Sequence, residues 1–297
     1  GFFSKVYFFD DVKEFQLIGE SSADFIGGGD RFLSIGRIYN LFTQAMDLRP
    51  NSDEGKVEAL AAFGHSDKDL LSILKNATNI DKNLLKIEFY IQEIKFFYDL
   101  DWLKEQRKNI GDENFCATVQ AYLEDTIVEY LNAVYIKYPI NNLCLSGGVA
   151  ANIIMSLQIY ERTAFKNIYV LPPMGDEGLA IGSAILTAID LGQDVSWLRT
   201  YKMPYFGDSY TRDQVKLALK GFSNISFEDL EKNWPEEAAK SVAAGKICSI
   251  FHGRMEFGPR ALGNRSIIAD PGRENIRQRI NSTVKKRPNY QPFCPSI

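Results

Sequence analysis

The stretch NNLCLSGGVAANIIMSLQIY, residues 141–160, predicts a short buried strand, a Gly-Gly turn and a helix. The stretch KNIYVLPPMGDEGLAIGSAILTAIDLG, residues 166–192, repeats that plan. It predicts a strand over 167–171, a Pro-Gly loop and a helix from about 177 to 191. Strands that alternate with helices at this spacing are typical of α/β architecture. The sequence therefore predicts an α/β fold.

The chain on the N-terminal side of this pair is mainly helical in pattern. Gly27 to Gly29 predict a turn, and an apolar face with helical spacing begins at Leu33. A short helix rich in Ala and Leu follows and ends at Gly64. Residues 66–112 are charged and weakly periodic, which favours helices with an amphipathic insert. A long amphipathic helix is predicted over 113–137.

On the C-terminal side, residues 192–212 are polar and contain Pro204 and Gly207, which indicates a domain boundary. Two modest helices are predicted within 211–222 and 234–246. A strand over 246–253 and a basic helix over 273–287 complete the pattern.

The composition is that of an ordinary globular protein of about two domains, with 297 residues, 45% hydrophobic and 24% charged. No apolar run approaches the roughly 18 residues that a membrane helix needs, so no membrane partner is expected. The start of the chain lacks the pattern of a secretory signal. The four cysteines form no Cys-x-x-Cys pair, which favours reduced thiols and a cytoplasmic protein.

The net charge of −4 is unevenly placed. From Phe251 onward there are nine Lys or Arg against three Asp or Glu, so this end carries +6 and the preceding residues carry −10. An acidic body with a basic end argues against a nucleic acid partner and favours a local site for a small anion. With two histidines in the whole chain, a His- and Cys-rich zinc site is not expected.

The two strand–turn–helix units each allow two interpretations. Gly147 and Gly148 let the backbone approach a ligand, and a helix N-terminus suits phosphate, but a tight turn without a ligand is equally consistent. Asp176 and Glu177 open the second helix, where they either cap it or supply oxygen ligands to a metal. Taken alone, Asp176 favours the cap. The repeated plan raises the expectation that both turns face one cleft.

The run FHGRMEFGPRALGNRSIIADP, residues 251–271, predicts a bent loop because its glycines and Pro259 disfavour regular structure. Its three arginines match phosphate and carboxylate geometry, and clustered guanidinium groups repel each other unless an anion neutralises them. Glu256 either orients one arginine or is its structural salt-bridge partner. Lys285, Lys286 and Arg287 add positive charge near this loop, although a solvated helix end is the favoured interpretation of these three residues.

These residues resemble the O-carbamoyltransferase family of the nodulation and antibiotic-tailoring type. The strings that carry the resemblance are EGKV at 54–57, LCLSGGVAAN at 143–152, GDEGLAIGSA at 175–184, GRMEFGPRALGNRSIIADP at 253–271 and INSTVKKRPNYQPFCPSI at 280–297. The resemblance spans nearly the whole chain. It implies the C-terminal half of an actin/Hsp70 ATPase-like domain, related to the tRNA threonylcarbamoyl-transfer protein, over 1–200. Part of a YrdC-like α/β domain would follow over 201–297.

The resemblance also implies a reaction. The YrdC-like part would use carbamoyl phosphate and ATP to make carbamoyl-adenylate and pyrophosphate. The other domain would transfer the carbamoyl group to a hydroxyl of a sugar, antibiotic or similar acceptor, with a divalent metal (Fe or Mg/Mn). The residues that would hold carbamoyl phosphate and the nucleotide phosphates are Arg254, Arg260, Asn264 and Arg265. Those of the nucleotide site, or near the acceptor, are Glu54, Lys56, Gly147, Gly148, Asn152 and Gly175. The metal ligand would be Asp176.

The chain departs from the family pattern at several places. The metal-binding histidine pair of the family lies before residue 1, and His65 does not fit its pattern, so one metal ligand is expected here. The usual Gly-Leu-Ala-Pro-Tyr-Gly reads EALAAFG, which changes Glu58 and Ala62. Further departures are Ser156, Gln291 and Cys294, and the later strands of the YrdC-like domain are not included. We therefore expect little or no full turnover from residues 1–297 alone.

Two other functions remain open from the sequence. A non-catalytic relative would bind nucleotide or carbamoyl phosphate as an assembly or regulatory module. A tRNA threonylcarbamoylation protein would need a basic tRNA-binding face, against which the −10 body argues. A homodimer is left open as well.

Overall fold

The computed structural model describes residues 2–9, 15–22, 33–90, 99–199 and 204–293. The chain divides into two compact units, Gly1–Leu171 and Pro172–Ile297. The predicted boundary at residues 200 and 201 lies within the second unit. The assignment of the two parts to ATPase-like and YrdC-like domains stays a prediction.

The first unit is mostly helical, with short pairs of strands. Its described elements are β1 (Phe2–Phe9), β2 (Phe15–Ser22), α1 (Ile35–Ala45), α2 (Glu54–Ala61), α3 (Lys68–Asn76), β3 (Thr78–Asp81), β4 (Lys86–Phe89), α4 (Leu100–Ile110), α5 (Asp112–Lys137), β5 (Asn142–Leu145), α6 (Ile153–Arg162) and β6 (Asn167–Val170). β1 pairs with β2 and β3 with β4, both antiparallel, whereas β5 and β6 are parallel.

The long helix α5 is the centre of the first unit's core. α1, α2, α3, α4 and α6 all pack against it. The predicted apolar face of α1 is buried, and its Phe42 ring stacks on Phe115 of α5 at 4.4 Å between centroids. Each fully buried side chain of this size contributes roughly 1.5–3 kcal/mol. Burial on α5 extends beyond one stripe to Thr118 and Gln120, so the helix is more enclosed than the predicted amphipathic pattern implied.

The second unit carries the arginine-rich run. Its described elements are α7 (Leu179–Asp190), α8 (Arg212–Lys220), α9 (Trp234–Ala243), β7 (Cys248–Phe251), β8 (Arg265–Ile268) and α10 (Ile276–Arg279). Single 3₁₀ turns lie at Asp176–Gly178 and Ser196–Arg199, and a π-helical turn at Ile280–Lys285. β7 and β8 are antiparallel, with Phe251 opposite Arg265. We call residues 252–264, which join these strands, the arginine loop.

The predicted α/β class is confirmed, and several of its details need correction. β5 was predicted to be buried, but its side chains alternate between half-buried and exposed positions, and Cys144 is exposed. The predicted basic helix over 273–287 is instead the short α10 followed by the π-helical turn, which ends at Lys286 with φ of 49°. The hairpins β1–β2 and β3–β4 were not predicted. The turn at Gly27–Gly29 lies outside the described residues.

None of the described helices is both long enough and apolar enough to cross a membrane. The three described cysteines, Cys116, Cys144 and Cys248, are free thiols. The fourth, Cys294, lies outside the described residues.

Gly64 allows the chain after α2 to pass directly over the start of α5. A Cβ atom at this position would overlap the backbone carbonyl group of Glu113 and approach the amide nitrogen of Asn114 at 2.7 Å. Backbone atoms at a helix start cannot move aside as a flexible side chain can. We expect Gly64→Ala to lower the free energy of unfolding of the first unit by about 1–3 kcal/mol, as overpacking does.

Gly55 provides the matched control, since a Cβ there would meet no atom within 4 Å and the residue is helical. Gly55→Ala should be neutral or stabilising by about 0.5–1 kcal/mol. Urea unfolding of both variants measures the difference. Equal stability of the two variants would contradict the close approach at Gly64.

Candidate functional site

The carboxylate of Glu256 organises the arginine loop. Glu256 is buried, and its Oε1 accepts backbone hydrogen bonds from Leu262 at 3.0 Å, Asn264 at 2.5 Å and Arg265 at 3.1 Å. Burial by itself would raise the pKa of Glu256, but the surrounding backbone N–H groups outweigh burial and hold the pKa below its ordinary value. The sequence interpretations had Glu256 orient one arginine or form a salt bridge with it. The hydrogen bonds found for its carboxylate go to backbone N–H groups, among them that of Arg265.

Two of the predicted anion ligands, Arg265 and Asn264, donate side-chain hydrogen bonds to backbone carbonyls of the same segment. Arg265 donates from Nη1 to the carbonyls of His252 and Asn264 at 3.0 and 2.8 Å, and its guanidinium lies 3.5 Å from the centroid of the Phe251 ring. Asn264 donates from Nδ2 to the carbonyl of Arg254 at 2.7 Å. These contacts fix the bend of the loop. A direct contact of Arg265 or Asn264 with a phosphate stays a prediction.

Arg254 and Arg260 are exposed at the surface of the loop. Arg260 lies close enough to Arg287 for its positive charge to affect the pKa of that residue. The pKa of Arg287 is lowered first by burial and then by Arg260. In the part of the chain that the structure describes, neither Arg260 nor Arg287 forms an ion pair with a carboxylate. Cations that feel a like charge and have no carboxylate partner suit an anionic ligand.

Arg287 was the residue that the sequence interpretation undervalued, since it was read as part of a solvated helix end. Lys285 and Lys286 are indeed exposed, but Arg287 is half-buried. Its Nε donates to Oδ1 of Asn281 at 2.7 Å and its Nη2 to the carbonyl of Pro292 at 2.9 Å. The signal in the sequence was the nearby aromatic residue Phe293. In the structure, the Arg287 guanidinium lies 4.8 Å from the centroid of the Phe293 ring.

A short segment braces the outer side of the arginine loop. The N–H of Gly207 donates to the carbonyl of Met255 at 3.0 Å, and the N–H of Phe257 donates to the carbonyl of Pro204 at 2.7 Å. Because these bonds join two backbones, they support the loop in addition to the side-chain contacts of Arg265 and Asn264. The residues 204–207 were predicted only as part of a boundary.

The turn that contains Asp176 also belongs to the second unit. Pro172, the first residue of the second unit, lies against Gly258 of the arginine loop. A Cβ atom at Gly258 would be 3.0 Å from the carbonyl of Pro172. Gly258 has φ of 124°, which disfavours any side chain. Gly175 precedes the 3₁₀ turn, and Asp176 is exposed and makes no capping hydrogen bond. The interpretation of Asp176 as a helix cap is therefore wrong.

In the first unit, the Gly-Gly turn presents an open backbone. Gly147 has φ of 102°, and a Cβ at Gly147 or Gly148 would meet no atom within 4 Å. Both residues are exposed. Val149, which follows, packs against the start of α1, since a Cβ at Gly36 would lie 3.2 Å from the Val149 side chain. The turn is thus supported on one side and open on the other.

The N-terminus of α6 is already occupied by side chains. Glu58 of α2 accepts hydrogen bonds through Oε1 from the N–H groups of Ile153 and Ile154 at 2.9 and 3.2 Å. Oδ1 of Asn152 accepts from the N–H of Met155 at 2.8 Å. The first three N–H groups of the helix are therefore satisfied by side chains. Phosphate binding at this turn, one of its two interpretations, stays a prediction. The backbone left for a ligand is that of the turn itself.

Asn152 is buried in a polar network that the sequence did not reveal. Its Nδ2 donates to Oε1 of Gln120 at 2.8 Å, and Nε2 of Gln120 donates back to Oδ1 of Asn152 at 3.0 Å. The hydroxyl of Tyr39 donates to the same Gln120 oxygen at 2.9 Å. The predicted nucleotide-site residue Asn152 thus ties the Gly-Gly turn to α5 and α1. The signal in the sequence that could have indicated Gln120 is its position as a polar residue on the buried side of the helix predicted over 113–137.

Glu54 and Lys56 lie on the first turn of α2, and both form contacts with neighbouring residues. Glu54 accepts hydrogen bonds through Oε1 from the N–H of Asn51 at 2.6 Å and from Nδ2 of Asn40 at 3.1 Å. Lys56 pairs with Asp53 at 2.9 Å, and this hydrogen bond holds the pKa of Asp53 below its ordinary value. Through Glu58, the same helix reaches the start of α6. The structure therefore groups the predicted residues of the first unit around α2 and the Gly-Gly turn.

The predicted site residues separate into two groups, one in each unit. The first unit holds Glu54, Lys56, Gly147, Gly148 and Asn152, and the second unit holds Gly175, Asp176, Arg254, Arg260, Asn264 and Arg265. The expectation that the Gly-Gly turn and the Asp176 turn face one cleft stays a prediction.

The lowered pKa of Glu256 predicts how the arginine loop responds to pH. A carboxyl group whose pKa is lower in the folded state stabilises that state fully above its unfolded pKa, about 4.3, and the contribution is lost as pH falls through the folded pKa. Glu256→Gln keeps an oxygen acceptor but removes the charge. We expect it to destabilise the second unit at pH 7 by about 1–3 kcal/mol, as for hydrogen bonds to a charged group.

The difference between Glu256→Gln and wild type should shrink as the pH falls below the unfolded pKa of about 4.3 and through the lower folded pKa, beyond which both side chains are neutral. Thermal unfolding from pH 7 to pH 3 measures this, with the exposed Glu274→Gln as control. A difference that stays constant over this range would show that the charge of Glu256 does not hold the loop.

Comparison with known families matches both ends of the chain. The family model described as "Carbamoyltransferase N-terminus" matches residues 3–185, and the one described as "Carbamoyltransferase C-terminus" matches residues 239–297. The second match contains the arginine loop from Arg254 to Asn264 and the residues Asn281 and Arg287.

Relatives were found among archaeal and bacterial proteins. An uncharacterized protein of Methanocaldococcus jannaschii is 49% identical over 292 residues, covering 96% of this chain and 48% of the relative. Nodulation protein NolNO of Sinorhizobium fredii is 36% identical over 188 residues, covering 62% of this chain and 27% of the relative. The 3'-hydroxymethylcephem-O-carbamoyltransferase of Streptomyces clavuligerus is 28% identical over 249 residues, covering 82% of this chain and 44% of the relative.

The chain spans about half the length of the first of these relatives and less of the other two. The N-terminal family model alone matches more than half of the chain, and the C-terminal model matches the segment with the paired arginines. The chain therefore belongs to the carbamoyltransferase family.

Proposed function

We propose that the protein containing this chain is an ATP-dependent O-carbamoyltransferase. It uses carbamoyl phosphate, ATP and water to form carbamoyl-adenylate with release of phosphate and pyrophosphate. It then transfers the carbamoyl group to a hydroxyl of a small acceptor, with AMP as the leaving group. Membership of the carbamoyltransferase family supports the transfer reaction. The donor, the adenylate and the acceptor are part of the proposal.

The observation that carries the proposal is the pair Arg260 and Arg287. Both are cations without a carboxylate partner among the described residues, and the charge of Arg260 contributes to the lowered pKa of Arg287. A phosphate group placed between them would remove their mutual repulsion and accept hydrogen bonds from both guanidinium groups. Carbamoyl phosphate and ATP are both phosphate compounds, so either fits this charge pattern.

The loop supplies a rigid base for such a pair. Glu256 holds the bend through backbone hydrogen bonds, and Arg265 holds the carbonyls on either side of it. Cations on a fixed backbone need little reorganisation when negative charge develops on phosphoryl oxygens, which is the condition for electrostatic stabilisation of a transition state. In this proposal Arg260 and Arg287 bind the donor and stabilise the charge of the leaving phosphate or pyrophosphate.

ATP fits the open backbone of the Gly-Gly turn in the first unit. The exposed amides at Gly147 and Gly148 are approachable because neither glycine carries a side chain and the space beside them is empty. Asn152 and Gln120 would keep the turn in place from its buried side. At this turn the chain's contribution would be to bind and orient the phosphates of the nucleotide.

The described residues do not form a complete binding site for a divalent metal. Among them, no group of three His, Cys, Asp or Glu side chains comes together. Asp176 offers one exposed carboxylate at the start of a 3₁₀ turn, with Glu177 beside it in the chain. We therefore propose Asp176 as a single ligand at most, and we derive no step of the reaction from the metal.

The acceptor is proposed only as a class. The name of one relative specifies a hydroxymethyl group on a cephem, and other relatives are named for nodulation. A primary or secondary hydroxyl of a sugar or another natural product is the common chemistry. Mass spectrometry of candidate acceptors that gain one carbamoyl group would identify it.

Substitution of Arg260 tests the donor site in the complete gene product. With carbamoyl phosphate and labelled ATP, the wild type should release pyrophosphate. Arg260→Ala should reduce that release by about 100-fold, in the range seen when one stabilising donor is removed from a transition state. The exposed Arg277→Ala on α10 removes an equal charge from the same region and should have little effect. Unchanged release by Arg260→Ala would reject the assignment of the arginine loop.

Substitution of Asp176 separates the two half-reactions. Asp176→Asn keeps the size of the side chain and removes its charge. We expect transfer to a hydroxyl acceptor to fall far more than pyrophosphate release, since the carboxylate is proposed to act in transfer. The two activities are measured on the same preparation of the complete gene product. An equal loss in both half-reactions would reject a role specific to transfer.

A further inference from the structure

Gly258, in the middle of the arginine loop, contacts a segment that lies much earlier in the chain. A Cβ atom at Gly258 would be 3.0 Å from both the carbonyl carbon and the carbonyl oxygen of Pro172, and 3.2 Å from the Cβ atom of that proline. Ordinary contacts between nonbonded carbon atoms are about 3.5–4.0 Å long. A side chain at position 258 would therefore press on the backbone of Pro172.

Both sides of this contact are stiff. Pro172 is followed by Pro173, which is buried, and Gly258 is followed by Pro259. A proline ring fixes its own φ and restricts the residue before it. A displacement at Pro172 or at Gly258 is therefore passed along the backbone, since neither segment can absorb it by bending.

The segment 204–207 holds the arginine loop at further points. The N–H of Phe257 donates to the carbonyl of Pro204 at 2.7 Å. The hydroxyl of Tyr205 donates to the carbonyl of Leu262 at 2.9 Å. The loop is thus held on both sides of its central residues.

Arg260 is one of these central residues and lies two positions after Gly258. We propose that Pro172 is a positioning residue for the donor site, which contacts Gly258 and sets the position of the backbone that carries Arg260. The inference rests on the proposed function, in which Arg260 binds the donor. A misplacement of about 1 Å at a reacting group can cost about 100-fold in rate, so a shift of a few tenths of an ångström in this backbone is significant.

The same contact also reaches the turn that carries Asp176. Pro172 opens that turn, and the 3₁₀ turn Asp176–Gly178 begins four residues later, within the same compact unit. One backbone contact therefore joins the segment with the proposed metal ligand to the loop with the proposed donor arginines. The residues proposed for activation and for transfer share one frame within the second unit.

Two alanine substitutions in the loop separate this contact from backbone strain. Gly258 and Gly263 have φ of 124° and 105°, so alanine is strained at both positions, but a Cβ at Gly263 would meet no atom within 4 Å. In the complete gene product, with carbamoyl phosphate and labelled ATP, we expect the kcat of pyrophosphate release to be about tenfold lower for Gly258→Ala than for Gly263→Ala. Equal kcat values would show that the contact with Pro172 does not position the loop.

Pro172→Gly tests the other side of the contact, and it decides the question if Gly258→Ala does not fold. It leaves the sequence of the loop intact and removes the ring and the fixed φ. We expect the kcat of pyrophosphate release to fall about tenfold at a temperature well below unfolding. Pro235→Gly is the matched control, because Pro235 is exposed at the start of α9 and its loss should reduce stability alone. A merely structural role of Pro172 would lower the unfolding temperature and leave kcat at the wild-type value, as in the control.

The outcomes distinguish the inference from the proposed function. If the wild type releases no pyrophosphate, the proposed function and the inference are both overturned. If the wild type releases pyrophosphate but Gly258→Ala matches Gly263→Ala, or Pro172→Gly keeps the kcat of the wild type, only the role of Pro172 is overturned. A lower kcat for each variant than for its control supports the inference.

Discussion

A single buried carboxylate determines the shape of the arginine loop. Glu256 gathers the N–H groups of Leu262, Asn264 and Arg265 on one oxygen, and those groups would otherwise be unpaired donors in a bend rich in glycine. An ionised acceptor binds such donors more strongly than a neutral one, which is why burial of the charge is tolerated. The positions of the loop's arginines depend on this arrangement, because the backbone that carries them is fixed from inside.

The polar residues of both candidate sites divide into those that build the site and those that are left for a ligand. In the second unit, the side chains of Arg265 and Asn264 donate hydrogen bonds to backbone carbonyls. Arg260, in contrast, has no carboxylate partner among the described residues. In the first unit, Asn152 and Glu58 satisfy the start of α6, and the turn at Gly147 stays open. A residue type that suits an anion is therefore not by itself a ligand. Its other hydrogen bonds decide which role it has.

Much of the fold followed from periodicity. The helix that begins near Leu33, the helix α5 and the strand–turn–helix of β5 and α6 are local patterns of apolar spacing and glycine, and each was predicted near its observed position. The hairpins β1–β2 and β3–β4 were missed because pairing between strands is not a local property. Among candidate site residues, the open glycines and Arg260 were named in advance. Arg287 was named only as one of three cations for which a solvated helix end was favoured, since only its contacts with Phe293 and Asn281 distinguish it from Lys285 and Lys286.

The sequence by itself determined the α/β class, the acidic body with a basic end, and the strings that mark the carbamoyltransferase family. Those features are carried by residue types, their spacing and their order, and all three can be read along the chain. Only the tertiary structure decided which polar side chain binds which partner. The Glu256 carboxylate accepts from backbone N–H groups, the Glu58 carboxylate accepts from N–H groups at the start of α6, and the Asn281 side chain accepts from Nε of Arg287. The physical reason is that a hydrogen bond depends on distance and direction between groups that the fold brings together, and residues far apart in the chain compete for the same donor.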